Sequence, residues 1–138
     1  LYFTGYTEKD GSPDIGDSAI TETVGVGAMV TVAAPAVTRF VGSGGGYDDA
    51  LALSNRMDQV CMSNNPNWSI PNWNFKGAPL GIDARKVVAT GIVPVINTGI
   101  AHREAGLGQV GAGTAEAPLA CFEKAIIAYA KKLGIETE

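Results

Sequence analysis

The sequence predicts an α+β fold, mostly helical with a few short strands. Three observations point there. Stretches with apolar residues at helical spacing and recognisable caps outnumber those that read as strands. The strand-like stretches are short, and they do not alternate regularly with helices as a doubly wound sheet requires. No internal repeat is present, and 138 residues with 46% hydrophobic content suit one domain with its own core.

The elements follow in chain order. Leu1-Tyr2-Phe3 reads as the middle or end of an apolar strand, and with no initiator Met the chain is expected to be a fragment or domain of a longer protein. Residues 4–17 are polar and turn-rich, so a loop. Asp17 or Ser18 is placed to cap a following helix, with Glu22 in or near its first turns. Val24 to Val41 is apolar and small. It is too short and too interrupted, by Thr31, Pro35, Thr38 and Arg39, for a bilayer span, and is expected as a buried central helix that Pro35 kinks or ends. The glycine loop through Gly44, Gly45 and Gly46 lacks a phosphate-loop signature, but its N–H groups feed a helix beginning near Asp48.

Asp48 to Cys61 carries the apolar stripe Leu51, Leu53, Met57 and Val60, and is predicted helical. Asn64 to Asn67 is predicted to be a loop. Trp68 to Phe75 alternates as an edge strand would, with Pro71 confining it to the edge. Gly77 to Asp83 reads as a turn that delivers an N-cap aspartate to a short helix, Ala84 to Thr90, which Gly91 ends. Ile92 to Ile96 reads as a buried strand, and Gln109 to Thr114 as a short strand or glycine-rich loop. Glu116 to Leu133 shows Leu119, Phe122, Ile126, Tyr129 and Leu133 at helical spacing.

Composition excludes several functions. A net charge of −4 and a pI near 4.9, with no basic cluster beyond Lys131-Lys132, argue against nucleic acid. The 18 glycines are gathered in motifs and are not periodic. Cys61 and Cys121 stand apart from any metal-ligand or CxxC spacing, so two reduced, buried thiols and a cytoplasmic location are expected. No cofactor motif is visible. Asp17, Glu22 and His102 are suitable metal ligands by type, but no spacing supports a metal site.

The chemistry concentrates in Ile96-Asn97-Thr98-Gly99-Ile-Ala-His102-Arg103, followed by Gly106-Leu-Gly108-Gln109-Val-Gly111-Ala-Gly113. The only histidine ends a strand beside polar donors. An imidazole suits general acid–base work, so His102, and with it Asn97 and Thr98, are the candidate catalytic residues. Arg103 offers a planar fork for a carboxylate or phosphate. Gln109, Asp17, Glu22, Gly44, Gly45, Gly46 and Asp48 complete the candidate substrate-binding set. The alternative for His102 is a structural histidine, and for Asp17 a helix cap and nothing more.

These motifs, with Asp14-Ile-Gly-Asp17-Ser-Ala-Ile-Thr-Glu22-Thr, Phe40-Val-Gly, Ile70-Pro71, Gly77-Ala-Pro79-Leu-Gly81-Ile-Asp83 and Thr90-Gly-Ile, resemble the YlbE-like family of bacteria. The resemblance spans residues 1 to about 130, and those proteins are much longer, so it implies that this chain is their C-terminal portion. It implies a subunit of an oxamate carbamoyltransferase in anaerobic allantoin breakdown. That enzyme converts oxalurate and phosphate to oxamate and carbamoyl phosphate, in an oligomeric assembly with FdrA-type and YlbF-type subunits. No residue role carries over with the resemblance. Two readings stay open beside it: a structural domain that docks an FdrA-type partner, with Trp68, Trp73 and Phe75 as contact surface, and an amide hydrolase that uses water in place of phosphate.

Overall fold

A computed structural model describes residues 1–16, 19–22, 24–41 and 45–135. Among the described residues, five α-helices and four strands in two small antiparallel sheets confirm the α+β class. The helices are α1 (Ala19–Glu22), α2 (Ala36–Phe40), α3 (Tyr47–Asp58), α4 (Ala84–Thr90) and α5 (Leu119–Lys132). One sheet pairs β1 (Cys61–Ile70) with β2 (Lys76–Ile82), and the other pairs β3 (Val95–Ala101) with β4 (Gln109–Glu116).

The N-terminal segment borders the second sheet on both sides. Phe3 N donates to Val110 O at 2.9 Å beside β4, while Ile15 and Gly99 exchange backbone bonds at 2.8 Å beside β3. Gly111 permits the first of these contacts: a Cβ there would lie 2.5 Å from the Leu1 carbonyl oxygen. The close approach that this glycine allows is thus to the chain's own N-terminus.

Val24 to Val41 is buried in part but is not one helix. A 3-10 helix, Gly27–Ala33, is followed by α2, which Pro35 caps at its start. Proline lacks the N–H that a continuing helix needs, so the chain restarts there. Ala28, Met29 and Val32 are fully buried against α3, and Ser54 Oγ accepts from Val32 N at 3.0 Å. Among the described residues no helix is long and apolar enough to cross a membrane.

The middle of the chain departs most from expectation. Asn64 to Asn67 belongs to β1 and Gly77 to Ile82 to β2; neither is a loop. Cross-strand backbone bonds override the weak strand propensity of Asn, Gly and Pro, and the register slips between Asn65 and Ser69 to accommodate them. The expected strand Trp68 to Phe75 instead ends at Ile70. A 3-10 turn, Pro71–Trp73, follows, with Asn74 and Phe75 at positive φ. Trp73 enters the core, whereas Trp68 and Phe75 stay exposed. Helix α3 ends at Asp58, because Cys61 is drawn into β1.

The Asp83 cap and the Gly91 terminator of α4 are as the sequence predicts. Helix α5 begins at Leu119, after Pro118, yet none of its residues is buried. It leans on α4 across an apolar groove of about 580 Å³. Cys121, on α5, is exposed and not buried as expected, while Cys61 lies in the core. Burial, with Asp58 nearby, pushes the Cys61 thiol up to about 11, which makes it unreactive at neutral pH.

Candidate functional site

Strand β3 starts at Val95 and not at Ile92, since Pro94 cannot join the ladder as a donor. Asn97 and Thr98 therefore lie within the strand, and only His102 and Arg103 lie at its end. Their separation follows from strand geometry: five residues at about 3.3 Å each put His102 roughly 16 Å beyond Asn97. The residues expected as one constellation fall into three places.

The first is the β3–β4 turn. His102 N donates to Gly108 O at 2.8 Å, and Gly106 and Gly108 turn the chain at positive φ. His102 Nδ1 accepts from Glu104 N at 2.9 Å, and its ring stands edge-on to Tyr6 at 6.0 Å. Arg103 Nη2 donates to Gly11 O at 3.2 Å, and Arg103 N to Asp10 O at 2.8 Å. Asp10 is a neighbour the sequence did not single out. Bonds from the Thr7 hydroxyl and N–H, with His102 and Arg103 nearby, hold its carboxyl below the usual range. Gln109 Nε2 donates to Gly111 O at 2.8 Å.

The second place is the edge of β3 beside the N-terminal segment. Thr98 is 8% exposed and its hydroxyl donates to Asp14 Oδ2 at 2.8 Å. Glu22 is 3% exposed. Its carboxylate accepts from Ala28 N at 3.0 Å and from Asn97 N at 3.0 Å, so it ties α1 and the 3-10 helix to β3 through backbone donors. Gly27, at φ +62°, lets the chain pass over that carboxylate; a Cβ there would lie 2.4 Å from its carbon.

The third place is a cleft of about 370 Å³ between α3 and the hairpin. Asn97 pairs with Thr114 across the hairpin, and Val95 with Glu116. Directly paired residues share a face, so Asn97 lies on the face that lines the cleft. Asp49, Ala52, Leu53 and Arg56 of α3 form the opposite wall. Asp49 Oδ2 accepts from Gly45 N at 2.6 Å, and Arg39 Nε donates to Gly45 O at 2.7 Å. This brings Gly45, Gly46 and Asp48 to the same end of α3. Asp17 and Gly44 lie outside the described residues. Sequence reading missed Arg56 and Glu116 because they are far apart in sequence and meet only when the hairpin docks on α3. Among the described residues no group of three or more metal-ligating side chains is assembled.

The chain is 56% identical over 135 residues to the oxamate carbamoyltransferase subunit AllG of Escherichia coli (strain K12), covering 98% of this chain and 32% of that protein. It is 46% identical over 133 residues to the uncharacterized protein YahG of the same organism, covering 96% of this chain and 28% of that one. A crystal structure of a conserved protein of unknown function from Enterococcus faecalis V583 superposes with a TM-score of 0.79. The identity is 48%, over 93% of this chain and 30% of that one. The chain is related to these proteins over nearly its whole length, and spans about a third of theirs. No family profile matches it.

Proposed function

We propose that this chain is part of a carbamoyltransferase subunit that handles oxalurate and phosphate, giving oxamate and carbamoyl phosphate, together with FdrA-type and YlbF-type subunits in the cytoplasm. The observation that carries this reading is the 56% identity to the AllG subunit across 98% of the chain. Within the chain we assign substrate binding to the cleft between α3 and the hairpin. It combines an apolar floor with an arginine, carboxylates and the Thr114 hydroxyl, which is the composition of a small-molecule site. The turn that carries His102 and Arg103 lies at the far end of the hairpin. There Arg103 donates to carbonyls of the N-terminal segment, which suits a clasp.

The test is to assemble the full-length protein with its partner subunits and to measure carbamoyl phosphate formed from oxalurate and phosphate. Ala52→Trp, at an exposed position on the cleft wall, should fill the cleft and remove activity without unfolding the chain. Activity unchanged in that variant would move the site elsewhere.

A second reading has its own observation. Helix α5 buries none of its residues, and Tyr129 and Leu133 are 62% and 57% exposed. An apolar face of this kind fits a docking element, with chemistry on a partner.

A further inference from the structure

Asp49, Ala52, Leu53 and Arg56 lie one and two turns apart on α3, so they share one face of the helix. Arg56 Nη2 donates to Glu116 Oε1 across the mouth of the cleft, and the two side chains remain 42% and 56% exposed. An ion pair so exposed is weakly held and readily exchanged. Glu116 engages the guanidinium through one nitrogen, Nη2. A small carboxylate lying in the plane of the fork can engage two. Helix rise puts Asp49 and Arg56 about 10 Å apart along the axis. One Asp49 oxygen accepts from Gly45 N at 2.6 Å, and the other belongs to the same cleft-lining carboxylate.

We propose that Arg56 and Glu116 form an exchange gate that sets substrate specificity. The carboxylate of the ligand replaces Glu116 on Arg56, and the N–H₂ of a carbamoyl group at the other end of the ligand is accepted by Asp49. The ligand class is a short chain with a carboxylate at one end and a carbamoyl amide at the other. Thr114 borders it from the hairpin, and Leu53 and Val95 form its apolar floor. This assignment rests on reading the cleft as the substrate site.

Calorimetric titration with oxalurate, and with pyruvate as a carboxylate lacking the N–H₂ end, tests it. Arg56→Gln should weaken both ligands roughly 10- to 100-fold, the scale for losing a charged hydrogen bond. Arg56→Lys, which keeps the charge but loses the fork, should fall between. Glu116→Gln should tighten both, because the competing carboxylate is gone. Asp49→Asn should erase the preference for oxalurate over pyruvate. Circular dichroism melts establish that each variant folds. The gate is overturned if Arg56→Gln binds as the wild type does, or if Glu116→Gln weakens binding. Oxalurate binding that is independent of Arg56 would overturn the gate and leave the carbamoyltransferase reading standing. Arg56-dependent binding of pyruvate with none of oxalurate would support the gate and remove the carbamoyl substrate. Binding of neither ligand by the wild type would overturn both.

Discussion

At the scale of the residue, His102 shows how a fold surrounds a candidate acid–base group with structural contacts. As the sole histidine, beside an arginine and a glycine-rich run, it reads as an acid–base group. In the fold its Nδ1 accepts from Glu104 N, its ring packs edge-on to Tyr6, and it stands opposite Gly11 in a β-bridge. His102→Gln is therefore expected to cost about 1 kcal/mol, a melting-point drop of roughly 3–6 °C, and to leave turnover per folded molecule nearly intact. Paired melting curves and assays of the assembled enzyme check this. A kcat loss of about 10²–10⁴-fold at unchanged stability would instead return His102 to the chemistry. Glu22 is the counterpart case. Its carboxylate was legible as a candidate ligand, but its backbone partners Ala28 and Asn97 were not, since one of them is distant in sequence.

At the scale of the element, the helices with local signals were the most legible. Asp83 caps α4 because its side chain accepts from Arg85 N at 2.9 Å, and Gly91 adopts the left-handed conformation that ends it. Both are decided within a few residues, so the sequence suffices. The cap also sets a pH dependence. Bonds from the Arg85 side chain lower the Asp83 carboxyl from 3.8 to about 2. A lowered folded-state value means that the unfolded chain binds the proton first. The contribution is present above the unfolded value and is lost as pH falls toward about 2. Comparing melts of the wild type and Asp83→Asn between about pH 5 and pH 2, the wild-type advantage should shrink as pH falls, because a protonated aspartate caps much as asparagine does. A constant difference would mean that the charge on Asp83 is irrelevant to α4. The β1–β2 hairpin was illegible for the opposite reason: its Asn- and Gly-rich strands hold together through cross-strand bonds that no local window contains.

At the scale of the whole molecule, the core sits where the 3-10 helix Gly27–Ala33 meets α3, with Met29, Met57 and Val95 in contact. Helix α5 lies outside it. Its periodic apolar residues were read correctly as a helix, but they pack toward α4 with Ile127 and Tyr129 exposed, as are Leu133 and Ile135 just beyond its end. If this face docks a partner subunit, Tyr129→Asp should weaken assembly at least about tenfold, as loss of a central aromatic contact does, and leave the melting temperature of the chain alone unchanged. Sedimentation of the mixed subunits measures it, and undiminished assembly would leave α5 without a docking role.

By itself the sequence determined the α+β class, the capped helix α4, the helical character of α3 and α5, and a strand near Ile96 that leads toward a glycine-rich turn. Each depends on periodicity, caps or composition, which act over a few residues. Only the tertiary structure decided where the polar residues gather. An extended strand holds Asn97 and His102 apart, while the docking of α3 on the hairpin brings Arg56 to Glu116 from opposite sides of one cleft. Those meetings are set by chain path and packing between distant segments, and no spacing along the sequence encodes them.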